Sequence, residues 1–160
     1  MGKRFILLRH AKTEEGLDKN DKERNLIEKG ILKMNAYSDL IKNKIQNLDA
    51  VFSSTANRTI QTAEILIKHY PDKKITTNEE LYTFDGNYLT FIQNLPQKFN
   101  EIALVGHNYT LEYTLNLLLQ TPREKPIHAK TSCIACFYSI ADEWQLVNPK
   151  NVRLEWILNA

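Results

Sequence analysis

Apolar residues form short unbroken runs at three places, within Phe5 to Leu8, Asp49 to Ser53 and Glu101 to Gly106. Runs this short cannot make a helix; they suit strands buried on both faces, as in a parallel sheet. Between and after them, apolar positions recur at helical spacing. Ile31, Met34, Leu40, Ile41 and Ile45 predict a helix over Ile31 to Lys44, with an imperfect stripe. Ile60, Ala63, Leu66 and Ile67 predict one over Thr59 to Tyr70, ended by Pro71, and Leu111, Leu115, Leu118 and Leu119 one over Thr110 to Leu119. Weaker patterns predict a short strand in Lys74 to Leu81 and a short helix in Tyr88 to Asn94, with Asp85-Gly86 as the turn between them. Thr131 to Leu158 reads as two or three strands, broken by Asp142-Glu143 and by Asn148-Pro149. Lys12 to Asn25 is dense in charge, has little to bury, and is expected to be a loop.

Strand alternating with helix three times implies parallel neighbours joined by right-handed crossovers. The predicted fold class is α/β: one three-layer domain over residues 1–160, with a mostly parallel central sheet flanked by helices. In such a sheet the parallel strands end along one edge, where open α/β folds place their ligand crevice. Arg9-His10 ends the first strand, Ser53 to Arg58 follows the second, and His107 ends the third, so all are expected to converge there.

Composition narrows this picture without redirecting it. A charged fraction of 25% and an apolar fraction of 42% are ordinary for a globular chain and argue against disorder or a fibrous class. The formal net charge is only +2, and the lysines are spread along the chain, so nothing points to nucleic acid. No run approaches the roughly 20 apolar residues that span a bilayer. The basic start Lys3-Arg4 is followed by an apolar run cut at Arg9, too short for a signal peptide. Met1-Gly2 would suit myristoylation, but Ile6 stands where Ser or Thr is needed. A cytoplasmic protein is expected. Cys133 and Cys136 form a lone C-x-x-C on a predicted strand, where residues three apart face opposite sides; they read as unpaired packing cysteines and not as part of a metal site. The sequons at Asn57 and Asn108 are read as chance matches.

The crevice would collect Arg9, Arg58, His10, His107, the hydroxyls of Thr13, Ser53 and Ser54, and the start of the Thr59 helix. Guanidinium forks and free helical N–H groups favour a tetrahedral dianion, so a phosphoryl group is the natural occupant and a bound phosphate or sulfate ion is expected. One histidine could attack it through an unprotonated ring nitrogen while the other, protonated, donates to its oxygens.

Three motifs in order, Arg9-His10-Ala11-Lys12-Thr13, Ser53-Ser54-x-x-x-Arg58-x-x-Gln61-Thr62-Ala63, and Gly106-His107-Asn108, resemble the histidine phosphatase superfamily. Asp21-x-x-Arg24-x-Leu26-x-x-x-Gly30, with the short length, is most similar to the small SixA-type phosphohistidine phosphatases. The resemblance implies a phosphoglycerate mutase-like fold without a cap insertion and a phosphatase that needs no metal or cofactor. It makes His10 the nucleophile, Arg9 and Arg58 the holders of the phosphoryl oxygens, and His107 a further, protonated donor. Thr13, Arg24 and Asn108 match positions near the site; whether Arg24 reaches the pocket or anchors the loop stays open. Ester-cleaving relatives carry an acid after a Glu-Leu pair, but Glu80-Leu81 is followed here by Tyr82-Thr83. An imidazole protonated from solvent can leave without that acid, which favours phosphohistidine over a sugar phosphate. Asp21, Glu80 and Asp85 remain as alternative acids. The expected partner is a phosphorylated protein such as a phosphotransfer domain, or else a small phosphorylated substrate; the alternative functions are a small-molecule phosphomonoesterase of the same superfamily and a phosphate-binding module without turnover. His69 and His128 are assigned no chemistry.

Overall fold

The computed structural model describes residues 1–160. Six strands, β1 (Lys3–Arg9), β2 (Ala50–Ser53), β3 (Ile75–Thr77), β4 (Glu101–Gly106), β5 (Ile134–Ser139) and β6 (Val152–Leu158), form one sheet in the order β3-β2-β4-β1-β5-β6. The first four are mutually parallel, and β5 and β6 close the far edge antiparallel. The helices are α1 (Glu28–Ile41), α2 (Asn57–Ile67), α3 (Leu89–Gln93) and α4 (Thr110–Leu119). No helix is long and apolar enough to cross a membrane.

The run Phe5 to Leu8 explains the layers. Phe5 and Leu7 enter the core shared with α3 and α4, while Ile6 and Leu8 enter the core shared with α1 and α2, and all four are fully buried. The same alternation separates Cys133, in the first core, from Cys136, in the second; both thiols are free. Burying each such large side chain contributes roughly 1.5–3 kcal/mol, and β1 does so on both faces. It is therefore the central strand around which the others align.

Several expected boundaries shift. Helix α1 starts three residues before Ile31, and its buried face is Gly30, Met34, Tyr37, Ser38 and Ile41, leaving Ile31 and Leu40 exposed. Gly30 decides that rotation. A Cβ there would lie 2.3 Å from the Lys12 carbonyl oxygen, so only glycine lets the first turn of α1 lie against the end of the β1 loop. Helix α2 likewise begins at Asn57 and turns Thr59, Thr62 and Ile65 inward, whereas Ile60 and Ile67 are only half-buried. The expected strand of Lys74 to Leu81 is cut to Ile75–Thr77, because Asn78 accepts a hydrogen bond from the Glu80 N–H and starts a 3-10 turn at Glu79–Leu81. The Lys12 to Asn25 loop is closed at its neck by a Thr13–Leu26 bridge and carries a 3-10 turn at Asp21–Glu23.

Candidate active site

The parallel register brings the strand ends together. Arg9 pairs with Gly106 across β1 and β4, so the next residue on each chain, His10 and His107, stand side by side with ring centroids 5.4 Å apart. The end of β4 is pinned from below: the Tyr88 hydroxyl accepts from the His107 N–H at 2.9 Å and donates to the Leu81 carbonyl at 3.2 Å. A Cβ at Gly106 would fall 2.3 Å from that hydroxyl oxygen, so the close approach requires glycine.

His10 is buried, and its Nδ1 lies 2.8 Å from the Ala11 carbonyl oxygen. A carbonyl only accepts, so Nδ1 carries the proton and Nε2 keeps a lone pair. Burial above all, then the charges of Arg58, Arg9 and Arg24, push its pKa down to about 3. The ring is neutral at neutral pH, as a nucleophile must be.

His107 is fully buried, with Nε2 2.6 Å from the Ser54 hydroxyl. That hydroxyl lies 2.7 Å from Thr59 Oγ1, and the Thr59 proton goes to the Ala56 carbonyl at 2.9 Å. Ser54 therefore donates to Thr59 and accepts from His107 Nε2–H, leaving Nδ1 unprotonated and without a partner. Burial first, then Arg58, also hold this ring near a pKa of about 3. The protonated donor expected of His107 is therefore not its state in the free protein. The ring is neutral, and only an added negative charge beside it would raise its pKa.

Arg58, in the first turn of α2, is buried and points back to the Lys12 to Asn25 loop. Its Nη1 donates to the Asp21 carbonyl and its Nη2 to the Asp21 carboxylate at 2.8 Å. Asp21 also accepts from Tyr82 Oη and from Arg24 Nη1 at 3.1 Å. Arg24 in turn donates to Thr13 Oγ1 at 2.8 Å and to the Glu14 carbonyl. Thr13 and Arg24 therefore fasten the loop to the crevice wall.

On the other side, Arg9 Nη1 donates to the Ala129 carbonyl at 2.6 Å. Asn108 Nδ2 donates to the same carbonyl and to Glu112, whose carboxylate also accepts from the Ala129 N–H at 2.8 Å. Asn108 thus supports the segment that holds Arg9. Residue Glu112 went unnoticed in the sequence because nothing in α4's apolar stripe marks a carboxylate that reaches across to Ala129. His69 pairs with Asp39, and exposed His128 with Glu112.

None of the three alternative acids is placed to give a proton to a leaving group beside the histidines. Asp21 is ringed by the donors of Tyr82, Arg58 and Arg24, which hold it well below the usual carboxylate range and leave it no proton to give. Glu80 and Asp85 are exposed, and neither carboxylate touches either histidine. The segment instead delivers Tyr82 and Phe84, whose rings lie 5.4 and 5.0 Å from that of His107. No three His, Cys, Asp or Glu side chains gather so as to hold a metal ion.

Three buried nitrogens around His10 have no hydrogen-bond partner: Arg9 Nε, Arg58 Nε and His107 Nδ1. Leaving such a group unsatisfied costs roughly 1–3 kcal/mol each. They come from three different elements, and Arg9 and Arg58 both act electrostatically on both histidines. An anion could accept from the two arginine Nε–H groups as they stand, and from His107 Nδ1 once that nitrogen takes up a proton.

A model of the histidine phosphatase superfamily (branch 1) matches residues 5–89, just over half of the chain. Among solved structures, a protein of Agrobacterium tumefaciens assigned as phosphohistidine phosphatase SixA is 26% identical, with a TM-score of 0.79 over 99% of this chain and 98% of that one. Its counterpart from Nakamurella multipartitia is 20% identical, with a TM-score of 0.80 over 99% and 96%. The protein histidine phosphatase SixA in complex with tungstate is 19% identical, with a TM-score of 0.72 over 98% and 96%. No curated protein sequence matches the chain.

Proposed function

The chain belongs to the histidine phosphatase superfamily, and we propose that it is a phosphatase, independent of metal, that removes phosphoryl groups from phosphohistidine on proteins through a phosphorylated His10. The observation that carries this reading is the set of unpartnered nitrogens of Arg9, Arg58 and His107 around a neutral His10 with a free Nε2. The tungstate complex of SixA, a tetrahedral oxyanion bound to a protein of this fold, supports it.

In the proposed reaction the phosphoryl oxygens accept from Arg9 and Arg58. The dianion raises the pKa of His107, which takes up a proton at Nδ1 and becomes a third donor. The His10 Nε2 lone pair then forms a bond to phosphorus in line with the breaking P–N bond of the substrate. The departing imidazole keeps the electron pair and leaves neutral, having been protonated from solvent on its remote nitrogen. Water next attacks phosphorus, the bond to His10 breaks, and inorganic phosphate is released. The imidazole needs no acid from the protein, which accords with a crevice whose nearest carboxylate, Asp21, is fully committed as an acceptor. An alkoxide leaving group would need that acid, so phosphate esters are expected to be poor substrates.

Phosphoramidate, a minimal N-phosphoryl donor, tests this directly. Wild-type protein is expected to release phosphate and, after rapid quenching, to carry an acid-labile phosphoryl group that His10→Ala lacks. Equal labelling of the two proteins, or faster turnover of glycerol 2-phosphate, whose leaving group is an alkoxide, than of phosphoramidate, would overturn the reading.

A further inference from the structure

The fold builds a concavity of about 410 Å³ lined by Arg9, Lys12, Lys29, Gly30, Lys33, Lys130 and Thr131, which shares Arg9 with the phosphoryl site but includes neither histidine. It draws on three separate stretches: the end of β1, the first turns of α1, and the segment before β5. The Gly30 contact with the Lys12 backbone, together with the bond from the Ile27 N–H to the Lys12 carbonyl, holds the first two together. Lys33 Nζ reaches over to the carbonyls of Thr131 and Ala160 and ties in the third.

No carboxylate lines this pocket, and none of its five cations makes an ion pair. Lys12, Lys29 and Lys130 are exposed and their ammonium groups have no hydrogen-bond partner in the protein, while Arg9 and Lys33 form the half-buried floor. Like charges at close quarters repel, and the one carboxylate that acts on the set, Glu112 on Arg9, lies outside the pocket and leaves the four lysines uncompensated. Elsewhere the same chain does supply counter-charges: Lys19 has Glu14, Lys22 has Glu79, and Arg4 has Glu101 and Glu155.

We propose that this pocket is the docking site for an acidic stretch of the phosphoprotein substrate, which shares Arg9 with the phosphoryl site so that binding there brings the phosphoryl group toward His10. The inference rests on the phosphohistidine reading above and names its substrate class: proteins with Asp or Glu beside the modified histidine. Lysine is the reason for choosing a protein surface over a small dianion. Compact, strongly hydrated charges on flexible stems give long-range attraction with loose geometry, whereas a small dianion is held by fixed donors such as guanidinium forks and backbone N–H groups. Such a surface acts on encounter and on KM more than on the chemical step, and salt screens it.

The test uses Lys29→Gln/Lys130→Gln, two exposed side chains outside the phosphoryl pocket. Two phosphohistidine peptides, one flanked by Asp and Glu and one by Ala and Ser, are compared with phosphoramidate. Wild-type kcat/KM is expected to favour the acidic peptide at least about tenfold at low salt, and the double variant to lose that preference through KM. Turnover of phosphoramidate and of the neutral peptide should stay within about twofold. Equal use of both peptides by the wild type, or equal loss on all three substrates, overturns the proposal. A binding measurement separates its failure from failure of the phosphatase reading: fluorescence anisotropy with a labelled, unphosphorylated acidic decapeptide needs no turnover. Binding about tenfold weaker in the double variant supports the docking site even if phosphohistidine is not hydrolysed, and unchanged binding overturns it. Tighter binding of a single-stranded oligonucleotide of equal charge would also overturn it, by assigning the pocket to nucleic acid.

Discussion

Arg58 and Arg24 share one carboxylate, Asp21, at 2.8 and 3.1 Å, while Lys12, Lys29 and Lys130, which line a pocket with Arg9, meet none. Both regions are cationic, the first through guanidinium groups and the second mainly through lysines. In the first, each cation is held by the fold in one orientation, by carbonyls, carboxylates and burial; in the second, long side chains stand in solvent. Fixed donors around a neutral histidine suit chemistry, in which a transition state must be met without reorganisation. Loose, unneutralised charge suits attraction at a distance. Arg9 belongs to both, with one nitrogen fastened to Ala129 and Nε unpartnered.

Breaking the first region should have the larger effect. His10→Ala is expected to lower phosphoramidate turnover by at least about 10³-fold, measured as phosphate release, because the nucleophile and not merely a donor is removed. Arg58→Ala should cost about 10²- to 10³-fold in kcat/KM as one phosphoryl donor is lost. It should also loosen the Lys12 to Asn25 loop, seen as faster amide hydrogen exchange at Asp21 to Asn25. Neither change should alter the binding of an acidic peptide to the lysine pocket; if it did, the two regions would not be separable.

Stability offers a second separation. Both histidines are neutral in the fold down to a pKa of about 3 but titrate near 6.5 when unfolded. Between those values the unfolded chain binds more protons, so stability is full above about pH 6.5 and falls as the pH drops toward 3. At pH 5 the loss is about 2 kcal/mol per histidine, readable from urea midpoints. Saturating phosphate should flatten that slope, since the dianion favours protonated His107; Lys29→Gln/Lys130→Gln should leave the slope unchanged. Tyr88→Phe leaves the buried His107 N–H without an acceptor and should cost about 1–3 kcal/mol. The smallest effect is expected from Asp21→Asn: freeing the Arg58 fork from a charged competitor should lower KM for phosphoramidate a few-fold.

Much of this was legible in the chain. The runs around Leu7, Phe52 and Leu104 marked the strands, and their polar ends marked Arg9, His10, Arg58 and His107, because a buried strand leaves few places for charge other than its ends. Helix boundaries were less legible. Ile31 and Leu40 are as apolar as Met34, and only the approach of Gly30 to Lys12 decides which of them faces the core.

By itself the sequence determined the layers of the core and the convergence of the candidate site residues at one sheet edge, since both follow from local periodicity and parallel connection. Only the tertiary structure decided how charge is distributed around that set. Lysines at positions 12, 29, 33 and 130 look scattered along the chain, and a net charge of +2 suggests nothing basic. Folding places them in one pocket while Asp21 is spent on Arg58. Electrostatic energy depends on distance in space, and distance along the chain carries no record of it.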